Sequence, residues 1–176
     1  MGQSRALTVE EVSVGAERLS CVVRVASDTP LRTSAVPHVR DSVRALLPDI
    51  VRHRCECGSA HGIIAELADT ELPHLLEHVT LELMALAGSP RSLRGETMWD
   101  FAADGHGVFR ISLEYDDDLV ALGALSEAAR IVDALVSGEG DGLDMDSITA
   151  RVSAARGARR PLSPQVATRP ATRPAD

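Results

Sequence analysis

The sequence predicts a single α+β domain: a small mixed or antiparallel sheet packed against several helices, followed by a disordered tail. Three observations carry this. Two segments are rich in β-branched residues or alternate strictly, Leu19–Ala26 and Val108–Tyr115. Three longer segments repeat apolar residues at helical spacing, within 36–47, 71–87 and 119–136. The chain's 176 residues are 44% hydrophobic but only 2% aromatic, enough for one core built from Leu, Val, Ile and Ala.

The first strand is LSCVVRVA, closed by Ser27-Asp28-Thr29-Pro30. Residues 36–47 read as a helix stopped by Pro48. Residues 56–62 read as a loop, followed by a short helix over 63–68. The main helix runs over 71–87 and ends at Gly88, a residue able to take the left-handed closing position. VFRISLEY forms the second strand after the loop Asp104-Gly105-His106-Gly107. The helix over 119–136 is stopped by Gly138 and Gly140. The domain is expected to span 1–142, with 143–176 a linker and tail, apart from a possible short helix at 146–156. From Gly157 onward Pro, Arg, Thr and Ala dominate, a composition that cannot offset the entropy of ordering. There is no internal repeat.

Composition excludes several functions. Net charge is −8, and the few aromatics offer little to stack bases on, so no nucleic-acid partner is expected. All 18 basic residues are Arg. Without Lys there is neither a Walker-A loop nor a lysine Schiff base. Met1–Glu11 lacks an apolar signal region, position 6 is Ala where a myristoylation pattern needs Ser or Thr, and no long apolar run suits a membrane. A cytoplasmic protein with three free thiols is the expectation.

The most informative text is Pro73-His74-Leu75-Leu76-Glu77-His78-Val79-Thr80-Leu81-Glu82, which contains H-x-x-E-H. At about 100° per residue, His74 and His78 fall about 40° apart, one turn from each other. Two imidazoles so placed can chelate one divalent ion, zinc by donor type, with Glu77 beside it to take a proton from water. Leu75, Val79, Leu83 and Leu86 form a neighbouring apolar stripe, so an amphipathic helix is expected, with Leu81 out of pattern. A polar face kept only for solubility would also look like this.

Glu82 is the first choice for a third ligand, although its reach along the helix is long, and it could instead orient a histidine from behind. Glu114 is the second choice, and either it or Arg94 could contact substrate. His53, Cys55, Cys57 and His61 also resemble a metal cluster, but the spacing lacks paired C-x₂-C and reads better as ordinary thiols. Trp99 and Phe101 read as core or pocket wall.

Taken together, LLPDIVRHRCECGSAHGIIAEL, HLLEHVTLELMALAG, GVFRISLEY and the 119–136 helix resemble the N-terminal domain of cyanophycin synthetase. In that family the domain precedes two ligase domains, for which this chain has no room, so the resemblance does not imply polymer synthesis. In some members the domain resembles a metallohydrolase that cuts an Asp-Arg polymer, with residues corresponding to His74, Glu77, His78 and Glu82. The family's Gly-Thr-Trp before the first His corresponds to 69–73 here, without Trp. Its Gly-Gly-Phe is His61-Gly62-Ile63, and its Phe-Gly-Lys-Thr-Arg segment is Leu93-Arg94-Gly95-Glu96-Thr97. The resemblance therefore implies a zinc-dependent peptidase or amidohydrolase acting on an Asp/Arg-type peptide. The alternative is a non-catalytic module that binds such a peptide, or a partner, through the same face.

Overall fold

In the computed structural model, residues 5–53 and 67–156 are described. The short helix expected over 63–68 and the cluster members Cys55, Cys57 and His61 lie almost wholly outside them, as does the tail. The first hairpin pairs β1 (Leu7–Val14) with β2 (Arg18–Val25), turned at Gly15, whose N–H donates to the Arg18 carbonyl at 2.9 Å. Later strands are β3 (Gly95–Met98) and β4 (Val108–Glu114). The sheet is antiparallel, in the order β1-β2-β4-β3. The five α-helices among the described residues are α1 (Val39–Leu46), α2 (Leu72–Leu86), the one-turn α3 (Phe101–Asp104), α4 (Asp118–Val136) and α5 (Met145–Ala155).

Alternation decides which sheet face is core. Leu19, Cys21, Val23 and Val25 of β2, with Phe109, Ile111 and Leu113 of β4, point inward onto α2 and α4. Arg18, Arg24, Arg110 and Glu114 take the intervening outward positions. The two unforeseen strands are edges. β1 has only Leu7 fully buried and a bulge between Val9 and Glu11, so its text lacks a clean apolar alternation. β3 is four residues long and opens on Gly95.

The expected helix over 36–47 is divided. A 3-10 turn at Thr33–Ala35 precedes α1, separated from it by Pro37 and by His38 at φ 63°. A 3-10 segment, Pro48–Arg52, follows it. The main helix matches its expected bounds closely. Its end is a Schellman closure: Gly88, at φ 93°, donates to Ala85 at 3.0 Å and Ser89 to Met84 at 2.9 Å.

Amphipathicity, however, is corrected. Every residue from Leu72 to Met84 is buried, polar ones included, because α2 is enclosed by sheet, α4, α5 and the 48–52 turn. Leu86, expected to belong to the apolar stripe, is exposed. Packed structure also continues past the boundary expected at 142. Asp144 caps α5 by accepting from Ser147 N–H at 3.1 Å, and Ile148 and Val152 are buried in the common core. Among the described residues no helix is long and apolar enough to cross a membrane.

Candidate metal centre

α2 places its polar residues inside the domain, which removes the solubility explanation for them. His74 and His78, one turn apart, bring their Nε2 atoms to 3.0 Å. The His74 Nδ1 meets Thr70 Oγ1 at 2.7 Å. Thr70 is fixed by a strap of backbone bonds: Thr33 N–H donates to the Thr70 carbonyl and Leu72 N–H to the Leu31 carbonyl, each at 2.8 Å.

Glu77 projects from α2 towards β3. Its Oε2 accepts a hydrogen bond from the Thr97 hydroxyl at 2.5 Å. At Gly95 a Cβ would lie 2.6 Å from the Glu77 Cγ and Cδ, so the absent side chain is what gives this carboxylate its place. Ligand atoms of His74, Glu77 and His78 all lie within 4.8 Å of one another. Their exposures are 7%, 0% and 1%.

Burial first, then the like charges of His74 and His53, pushes His78 down to about 3. It is therefore neutral at pH 7, the form that can donate a lone pair to a cation. Two imidazoles converging beside a carboxylate, out of water, fit a divalent ion such as zinc.

Glu82 is buried elsewhere on α2. Arg91 grips it through two bonds, Nη1 to Oε2 at 2.7 Å and Nη2 to Oε1 at 3.0 Å. The His53 Nε2 lies 2.6 Å from the same Oε2. Burial alone would raise the Glu82 carboxyl, but these hydrogen bonds outweigh it and hold the group below its usual value. Both its oxygens are thus committed outside the His74–Glu77–His78 group, so the structure does not bring Glu82 in as a third ligand.

Nor does it bring in Glu114. That residue points outward from β4, facing Arg18 at 3.4 Å and accepting from the Arg94 backbone N–H at 3.0 Å. The sheet stands between it and the histidines. Arg94 is exposed just ahead of β3. Trp99 is half-exposed and packs on Phe101 and Phe109.

Sequence reading did not find Thr70, Gly95, Thr97 or Arg91, because only the fold brings them to α2. It noticed His53, but in company with the cysteines.

Across residues 21–137 the chain matches the model of the cyanophycin synthase-like N-terminal domain. It belongs to that family. Cyanophycin synthetase of Synechocystis sp. is 29% identical over 105 residues, covering 59% of this chain and 12% of the relative. The Crocosphaera subtropica enzyme is 28% identical over 105 residues, with the same coverage. That of Geminocystis herdmanii is 26% identical over 113 residues, covering 64% of this chain. The chain thus spans about 12% of the length of these relatives. Both histidines of the centre, Glu77 and Glu82 fall inside the family match.

Proposed function

We propose that this protein is a zinc-dependent hydrolase of peptide or related amide bonds. The observation that carries the reading is the meeting of the His74 and His78 Nε2 atoms at 3.0 Å beside Glu77, all three buried. His74 and His78 would hold the ion, which supplies a Lewis acid to polarise a carbonyl and to acidify water.

The chain's own residues do the rest. Glu77 takes the proton from the attacking water and returns it to the leaving nitrogen. Thr97, donating to Oε2, holds the carboxylate in its orientation for that transfer. Gly95 leaves the space in which the carboxylate stands. The fully buried setting strengthens each of these electrostatic interactions.

Family membership directs the substrate reading to an Asp/Arg-type peptide, and the chain's net charge of −8 favours an arginine-bearing one. A cytoplasmic setting suits such a substrate.

The test is elemental analysis of purified protein followed by hydrolysis assays on Asp-Arg peptides. One zinc per chain, lost in His78→Ala and retained in Glu77→Gln without turnover, is the expected result. No metal in the wild type, and no hydrolysis after added zinc, would replace the hydrolase with a peptide-binding module.

A further inference from the structure

Just ahead of α2, the segment Asp69-Thr70-Glu71 is tied to residues 31–34 by more than backbone pairing. Arg32 and Glu71 face each other as an isolated antiparallel bridge. From there the Arg32 guanidinium reaches to both sides of Thr70. Its Nε donates to Asp69 Oδ1 at 2.7 Å and its Nη2 to the Asp69 carbonyl at 2.9 Å. Its Nη1 donates to Glu71 Oε1 at 2.5 Å. Ser34 Oγ donates to the same Asp69 oxygen at 2.6 Å, and the Thr70 N–H donates to Thr33 Oγ1 at 3.0 Å.

As a source of stability this clasp is modest. The Arg32 and Asp69 side chains are about half exposed, and water screens ion pairs so placed. Its geometry is more telling. One rigid, planar group holds the residues before and after Thr70, so neither can turn without breaking a bond. Glu71 is the N-cap of α2, yet its carboxylate goes to Arg32 and not to the free N–H groups of the helix. Between the two clasped residues stands Thr70, buried, with its Oγ1 2.7 Å from the His74 Nδ1.

A histidine ring can turn about its Cβ–Cγ bond, and a half turn would put a carbon where Nε2 stands. The bond at Nδ1 selects one of the two orientations, whichever of its atoms carries the proton. In that orientation the His74 Nε2 faces the His78 Nε2 at 3.0 Å.

We infer that Thr70 is a positioning residue for His74, and that Arg32 acts on the centre by holding Thr70 in place. A half-exposed arginine thereby reaches a buried imidazole through one hydroxyl. Outer partners of ligand imidazoles commonly act in this way. The ring orientation needs no bound ion; only its effect on metal affinity rests on the hydrolase reading.

The experiment uses the full chain with ¹³C-labelled histidine rings. Without metal, NMR relaxation of the His74 ring should report one fixed orientation in the wild type. Thr70→Val keeps the shape and removes the hydroxyl, so the ring should also populate the turned orientation. Thr70→Ser should hold it fixed. In zinc titrations Thr70→Val should bind about 10–100-fold more weakly, with an altered visible spectrum when cobalt replaces zinc. Thr70→Ser should restore both. Arg32→Met should weaken zinc binding on its own and have no further effect in Thr70→Val, as expected of a residue that acts through another. Because Arg32 is half exposed, Arg32→Met also carries the ring measurement should the buried valine fail to fold.

A His74 ring as fixed in Thr70→Val as in the wild type overturns the positioning role. So does a serine variant that binds zinc as weakly as the valine variant. Equal losses from Arg32→Met in both backgrounds overturn the role of the clasp. A wild type that binds no zinc, or binds it without hydrolysing peptides, refutes the hydrolase reading, and the ring measurement still decides the place of Thr70.

Discussion

The buried face of α2 and the outer face of the sheet both carry charged and polar side chains, yet they obey different physics. Outside, Arg24 pairs with Glu10 at 2.6 Å, Arg110 with Asp104 at 2.5 Å and Arg18 with Glu114 at 3.4 Å, all in contact with solvent. Water and salt screen such pairs, and ordering two long side chains offsets much of their attraction. Inside, His74, Glu77, His78 and Glu82 are cut off from water, so each must be matched by a specific neighbour. The outer face could exchange its charges freely; the inner one could not. A charged residue's meaning is set by its environment rather than by its type.

The largest effect that would break this comparison is on turnover. Glu77→Gln should lower hydrolysis by about 10²–10⁴-fold while the zinc content holds, read by steady-state kinetics and elemental analysis. An active variant would show that another group takes the proton.

Next in size is packing. Leu76 is fully buried on the same helix, and Leu76→Ala should cost about 2–5 kcal/mol in denaturant unfolding. Arg91→Met should follow at about 1.5–3 kcal/mol, because Glu82 loses its charged donors.

The Arg91 change also has a pH signature. The Glu82 carboxyl is held below its unfolded value of 4.5, so its stabilisation is complete above that pH and lost as pH falls through the folded value. Without Arg91 the folded value rises, and acid unfolding should begin at higher pH than in the wild type. Unchanged acid limbs would mean that His53 alone secures Glu82.

Gly95→Ala should have a smaller stability cost, about 1–3 kcal/mol, as the new methyl displaces the Glu77 carboxyl. Its turnover should nonetheless fall, which separates the place of the carboxylate from its chemistry. Arg24→Ala, on the outer face, should leave the unfolding midpoint unchanged within error; a clear loss would show that the outer pairs act as a network.

Local text carried a good deal of this molecule. LSCVVRVA and VFRISLEY are central strands, and their inward positions alternate clearly enough to read. The closing glycine of α2 was visible because a positive φ favours a residue without Cβ. β1 and β3 were harder to see. An edge strand buries little of its length, and β3 is only four residues long.

For the centre, the sequence by itself determined the i, i+4 histidine pair and the carboxylate between them. Helix geometry fixes their relation wherever the helix is placed. Only the tertiary structure decided that this face is buried, that Glu82 turns to Arg91 and His53, and that Glu77 stands against Gly95. Those partners come from chain positions 9 to 29 residues away, and no local periodicity encodes a contact made across elements. Spacing specifies which groups can act together; packing specifies which of them have already been given to something else.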